Sequence, residues 1–180
     1  MSKKVVPTVC LVIDASIARA VGPMEAEDAR SVGCREFLLS VRSTGHRMAF
    51  NPEMKAEWDR HQSGFARTWL TQMFSIGNVT NVPVFENDSF KTSIDTIEDK
   101  GIKNAIIKDR HLVETAFGSD RRVGSLDDTM RGHLKRMDSN CPQLGSLIWV
   151  NPTRKSEFVI AWIESGAPAQ KKRTLAKFRV

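Results

Sequence analysis

Lys108 to Asp128 reads KDRHLVETAFGSDRRVGSLDD, and the reading of this stretch decides the fold. Leu112, Val113, Ala116 and Phe117 fall at i, i+1, i+4 and i+5, one apolar face of a helix. Asp109 stands three and four residues before the first pair, so the spacing predicts that it opens this helix on the inward-turning face. Gly118 and Ser119 end the helix, and Arg122 to Ser125 is short enough to be a buried strand. Asp127 and Asp128 stand where that strand runs out. A helix start and a strand end thus bring acids together, and the rest of the chain supplies more acid or the scaffold to hold it.

Outward from this stretch, helical and strand patterns alternate. Val5 to Ile13 is a nearly continuous β-branched and aliphatic run ending in Asp14, as expected of a strand buried on both faces. Lys3 and Lys4 before it, and Ala18-Arg19-Ala20 after it, imitate a secretory leader. Pro7 and Asp14 interrupt the run, however, and Arg19 is wrong for a cleavage site. Ala15 to Val21 predicts a short helix, Met24 to Asp28 an acidic loop, Ala29 to Arg42 a helix and His46 to Phe50 a second strand. Asn51-Pro52 is a helix start in which Met54, Trp58, His61 and Phe65 form the buried stripe, with Glu57 at its edge. Helical character resumes after Gly64 and stops at Gly77. Val79 to Val84 reads as a weak third strand, with Pro83 favouring its end or an edge. Asn87 to Asp99 reads as a polar surface helix and Gly101 to Ile107 as a connector. Thr129 to Met137 predicts a helix, Ser139 to Gly145 a loop, Leu147 to Val150 a fifth strand and Glu157 to Glu164 a last helix. Five strands alternating with helices imply an α/β fold with right-handed crossovers and a mostly parallel sheet.

A chain of 180 residues, 41% hydrophobic and 27% charged, suits one globular domain with a real core. The reading is a single domain over residues 1–166 and a basic tail over 167–180. The three cysteines, Cys10, Cys34 and Cys141, are odd in number and widely spaced, which argues for a reducing, cytoplasmic setting. No run approaches the ~18 apolar residues of a membrane span. Five basic residues of the net +6 lie in the tail: Lys171, Lys172, Arg173, Lys177 and Arg179, with no acid among them. Such a tail suits phosphate backbones, though a solvated, disordered terminus has the same composition.

In open parallel sheets, ligands bind beyond the carboxyl ends of the strands, where strand order reverses. Asp14 follows the first strand and Asp127 the fourth; if those strands are neighbours, the two carboxylates face each other there. Glu57 and Asp109, each near an inward helical face, join them. Carboxylates crowded in this way raise one another's pKa values unless a cation is present. All-oxygen donors suit Mg²⁺ or Mn²⁺, and such ions serve phosphodiester chemistry best. Each acid also has a plainer role. Asp14 and Asp109 can cap helices, Glu57 can be solvated, and Asp127 and Asp128 can share one cap before Thr129. The joint pattern favours the metal site. The chain has no G-x-G-x-x-G, no G-x-x-x-x-G-K-[ST] and no G-x-S-x-G. His61 and His111 read as packed or surface residues rather than ligands, and Cys10 as an inert buried thiol.

V-I-D-A-S at 12–16, N-P-E-M-K-A-E-W at 51–58, and K-D-R-H-L-V-E-T-A followed by D-R-R-V-G-S-L-D-D together resemble the PIN-domain nucleases. Within that family they are most similar to the bacterial and archaeal toxin-like (VapC-like) members, over about residues 5–150. The family has an acid opening a helix and then a strand ending in [ST]-x-D, here Ser125-Leu126-Asp127. The resemblance implies a three-layer α/β/α sandwich with a five-stranded sheet, and Mg²⁺- or Mn²⁺-dependent RNA cleavage leaving a 5′-phosphate and a 3′-hydroxyl. It puts the metal-binding acids on Asp14, Glu57, Asp109 and Asp127, and small polar pocket positions on Ser16 and Ser125, with Asp128 beside them. RNA is the expected partner, held in part by Lys171, Lys172 and Arg173. An antitoxin protein and a second copy of the chain are the further candidates, and no membrane is involved. The alternative is a PIN-like RNA-binding or protein-interaction module with feeble catalysis; a hydrolase of small phosphate esters is a third reading that needs no tail.

Overall fold

β1 (Cys10–Ile13) is buried along its whole length, as its unbroken apolar run requires of a central strand. The computed structural model that contains it describes residues 7–83 and 86–179. Val5 and Val6 of the first expected strand, and Val84 of the third, lie outside the described residues. From β1 the chain passes through α1 (Ala15–Ala20) and α2 (Ala29–Ser43) to β2 (Arg47–Phe50). It continues through α3 (Pro52–His61) and α4 (Gly64–Ser75) to β3 (Val79–Asn81), and through α5 (Asp88–Asp95) and α6 (Lys100–Phe117) to β4 (Arg122–Gly124). Then α7 (Asp128–Arg136) and α8 (Pro142–Gly145) lead to β5 (Ile148–Val150) and finally α9 (Val159–Glu164).

The five strands form one parallel sheet in the order β3-β2-β1-β4-β5. The chain steps outward from β1 to β3 and then crosses back to set β4 on the other side of β1, so strand order reverses between β1 and β4. Such a reversal opens a crevice at the carboxyl ends of the two strands. Val12 pairs with Val123 and Ile13 with Gly124, and the Asp14 N–H donates to Gly124 O at 3.0 Å. Asp14 and Ser125 therefore leave their strands side by side. α6 packs across β1, β2 and β4 on one face, while α2, with α9 beside it, covers the other, giving an α/β/α sandwich. Gly124 explains how closely α2 approaches: a Cβ there would stand 2.8 Å from Phe37 Cζ.

Seven helices start on the same device. Asp14, Asp28, Asn51, Ser63, Asn87, Asp99 and Asp127 each accept a first-turn backbone N–H on a side-chain oxygen. Each cap is worth about 1 kcal/mol.

The caps also account for where the structure departs from the sequence reading. Gly101 to Ile107 is no connector but the first part of α6, because Asp99 accepts the Ile102 N–H at 2.9 Å and starts the helix eight residues earlier than the Leu112 pattern implied. Asp109 therefore lies in mid-helix and opens nothing. The stripe of α3 ends early: the chain leaves the helix at Gln62, and Ser63 caps α4 by accepting the Ala66 N–H. Met54 and Trp58 are buried, but His61 is exposed. The expected surface helix at 87–99 shortens to α5 and buries Phe90 and Ile94.

The basic tail is docked, not free. Thr174 forms an antiparallel bridge with Ile148, the Leu175 N–H donates to Leu147 O at 2.8 Å, and Leu175 is fully buried. Cys10, Cys34 and Cys141 are free and buried, and burial pushes the Cys34 thiol up to about 11, which makes it inert. Among the described residues no helix is long and apolar enough to cross a membrane.

A candidate carboxylate site at the sheet's carboxyl edge

Where β1 ends, Asp14 turns the chain into α1 and serves as its cap, with Oδ1 accepting the Ser16 N–H at 3.3 Å. Its Oδ2 accepts two hydroxyls, from Ser16 Oγ and, at 2.7 Å, from Ser125 Oγ. Both serines also face backbone donors. Ser16 Oγ accepts the Leu126 N–H at 3.2 Å, and Ser125 Oγ accepts the Asp127 N–H at 3.1 Å. With lone pairs engaged by amides, the two hydroxyl protons are directed at Asp14, so the carboxylate is held in one orientation. Hydrogen bonds of this kind favour the ionised form of their acceptor.

Asp127 caps α7, its Oδ1 accepting the Met130 N–H at 2.7 Å. The plain capping role therefore holds for Asp14 and Asp127, and fails for Asp109. On α6, Asp109 shares the face of the buried Leu112, Val113 and Ala116, which lies against the sheet. Burial raises its carboxyl to about 6; the charge of Asp14 adds to the rise, as does that of Glu57, while Lys108 and His111 oppose it. A helical acid with no capping role, held next to two other acids, is the feature that capping does not explain.

Glu57 reaches this group from α3. Its neighbour Trp58 is fully buried, stacks on Trp69 with ring centroids 6.0 Å apart and donates from Nε1 to Ile13 O at 2.9 Å. That bond ties α3 to the last residue of β1. His111, almost wholly buried, sits between Glu53 and Glu57; its Nε2 is 3.2 Å from Glu57 Oε2 but off the line of a hydrogen bond. Packing was the expected role of His111, but its place beside Glu57 depends on α3 meeting α6, which no local pattern contains.

Asp14, Ser16, Ser125 and Asp127 are thus linked by hydrogen bonds, and Asp14, Glu57 and Asp109 by their fields. Asp128 faces elsewhere: its Oδ2 accepts from Arg154 Nε at 2.8 Å and from Asn151 Nδ2 at 3.0 Å. Lys171, Lys172 and Arg173 stand apart from the acids. Arg173 is buried, donating to Gln170 Oε1 at 2.9 Å and lying 5.3 Å from the centre of the Trp162 ring, so it props the tail instead of facing solvent.

The donor chemistry fits a hard divalent cation: oxygens only, like charges that raise Asp109, and no ion pair to Asp14, Asp109 or Asp127 among the described residues. As the side chains stand, no three His, Cys, Asp or Glu among the described residues close on one point, so an ion would have to draw them together. No family model, curated protein or solved structure matches this chain.

Proposed function

We propose that the chain is a PIN-like ribonuclease that hydrolyses RNA phosphodiester bonds at the β1–β4 crevice with bound Mg²⁺ or Mn²⁺. The observation that carries this reading is the raised carboxyl of Asp109, set by burial and by Asp14 and Glu57 at the point of strand reversal. Asp14, Glu57 and Asp109 would hold the ion, with Asp127 contributing the oxygen its cap leaves over. When bound, such an ion neutralises the phosphate and makes a bound water acidic enough to attack phosphorus. The chain's own contribution is orientation. Ser16 and Ser125 fix Asp14, Trp58 anchors the α3 end of the site, and Asp109 takes or releases a proton near neutral pH. A cytoplasmic setting agrees with three free, buried thiols. An antitoxin protein, or a second copy of the chain, is the partner this reading adds to RNA.

The test is cleavage of a labelled single-stranded RNA in Mg²⁺, Mn²⁺ or EDTA, by the wild type and by Asp14→Asn and Asp109→Asn, with manganese calorimetry alongside. Metal-dependent products carrying a 5′-phosphate, lost in both variants together with manganese binding, are expected. RNA binding without cleavage in either metal would overturn the enzyme and leave the RNA-binding module.

A further inference from the structure

The docked tail builds a cationic pocket that the acid site does not use. Phe178, near the end of the described chain, lies under two arginines: the Arg131 guanidinium is 4.0 Å from its ring centre and that of Arg154 is 5.4 Å away. Beside them is a cavity of about 260 Å³ lined by Arg131, Arg154, Lys172, Arg173, Lys177 and Arg179, with Glu157 the one acid in its wall. Glu157 is already engaged. Its Oε1 accepts from Arg131 Nη1 at 2.6 Å and its Oε2 accepts the Asn151 N–H at 3.1 Å. The six cations therefore face one another across the cavity with a single carboxylate to offset them.

A second observation points to a ligand. Arg131 is 3% exposed, and its Nε has no hydrogen-bond partner among the described residues. A buried charged donor left unpaired costs at least about 1–3 kcal/mol, so the pocket wall is short of an acceptor. A planar guanidinium with a free donor prefers an oxyanion such as phosphate, and Lys172, Lys177 and Arg179 add exposed charge at the rim. Arg154 and Phe178 also line a second cavity of about 250 Å³, whose walls include Arg136, His133 and Asp128. Asp128 directly follows Asp127, so the two cavities form a basic track leading away from the acids.

We propose that this pocket binds a backbone phosphate of the RNA away from the bond that is cut, with Arg131 and Arg154 as its floor and Lys172, Lys177 and Arg179 as its rim. The inference rests on the ribonuclease reading for the identity of the polyanion. It assigns Arg173 to structure and recruits Arg154, Lys177 and Arg179, none of which a linear reading of the tail separates from its neighbours.

The experiment measures binding of a fluorescent ten-nucleotide uridine RNA by anisotropy in EDTA, where cleavage is off, across a salt series. The full-length wild type is compared with Lys172→Ala/Lys177→Ala/Arg179→Ala, and with Arg42→Ala/Arg60→Ala/Arg67→Ala, which removes equal charge elsewhere. The tail variant is expected to lose affinity about tenfold or more and to flatten the salt slope by about two to three, one per lost phosphate contact. The control variant keeps most of both. In Mg²⁺ the tail variant should show a raised KM at unchanged kcat, the mark of binding shared by ground and transition states. Equal losses in the two variants would reduce the pocket to general field and overturn the proposal. So would competition by polyglutamate but not by pyrophosphate, which would mark an acidic peptide as the ligand. Unchanged binding in the tail variant with cleavage intact sinks the pocket alone, whereas a wild type that neither binds nor cuts RNA sinks the ribonuclease reading and the pocket with it.

Discussion

Ser125 Oγ donates to Asp14 Oδ2 at 2.7 Å, joining the ends of β4 and β1 through side chains 111 residues apart. The same oxygen accepts the Asp127 N–H, so one buried hydroxyl fixes the positions of two acids. The crevice between the two strands is in this sense closed by chemistry as well as by topology.

Ser125→Ala removes that link and leaves Asp14 with one hydroxyl. A hydrogen bond to a charged acceptor is worth about 1.5–3 kcal/mol, so we expect a melting temperature lower by several degrees. The cleavage rate should fall more than tenfold, since Asp14 is freed to turn. Thermal melts and single-turnover cleavage check both, and a loss of stability without loss of rate would make Ser125 a purely structural residue.

Asn retains a capping oxygen but not a charge. Asp14→Asn and Asp127→Asn should therefore melt within a few degrees of the wild type while losing cleavage. Asp120→Asn is the control. Asp120 accepts the Cys10 N–H at 2.7 Å, at the amino end of β1 and far from the crevice, and should cleave at the wild-type rate. Wild-type cleavage by Asp127→Asn would remove it from the metal set.

Asp109 binds its proton more tightly folded than unfolded, because burial and the charge of Asp14 raise its carboxyl to about 6 from the usual value near 4. Stability from this group is thus fully present at acid pH and is lost as pH rises from about 4 through about 6. In EDTA, Asp109→Asn should melt higher than the wild type at pH 8 and at the same temperature at pH 4. Millimolar Mn²⁺ at pH 8 should raise the wild-type melting temperature, since it binds the folded form, and should leave the variant unmoved. Melting curves in both buffers read the result.

Trp58→Phe keeps much of the stacking on Trp69 but leaves the Ile13 carbonyl without its donor. We expect a loss of about 1–3 kcal/mol, from the orphaned buried acceptor and the smaller ring. Denaturant titration measures it. Because the bond also anchors α3, and with it Glu57, manganese affinity should fall in parallel.

Most of the sheet was legible from short apolar runs bounded by Asp, Asn and Gly, because a central parallel strand has to be apolar on both faces. Val12-Ile13-Asp14 and Gly124-Ser125-Leu126-Asp127 carry both the strand ends and their acids in a few residues, so local pattern sufficed there. Asp109 was read on the correct face and in the wrong role. Its periodicity with Leu112 and Val113 is real, but Gly101 and the polar residues around it hid the earlier start that Asp99 supplies. His61 was misplaced because 3.6-residue spacing continues on paper through Gln62 and Ser63, where the capping side chain ends one helix and starts the next. The split of the tail into a buried Arg173 and an exposed Lys172 depends on tertiary contacts with Trp162 and Glu157, and no spacing rule contains those.

The bridge between Thr174 and Ile148 also governs how copies of this chain can meet. A parallel sheet can recruit a foreign strand at either margin, and here the β5 margin is already taken by the chain's own returning segment. Continuous sheet growth between molecules is left only the β3 margin, Val79–Asn81, three residues long and followed at once by Pro83, which cannot donate to a ladder. Self-association of this protein is thereby steered to its helical faces, and a pairing that used the β5 side would first have to strip away the segment that carries the cationic pocket.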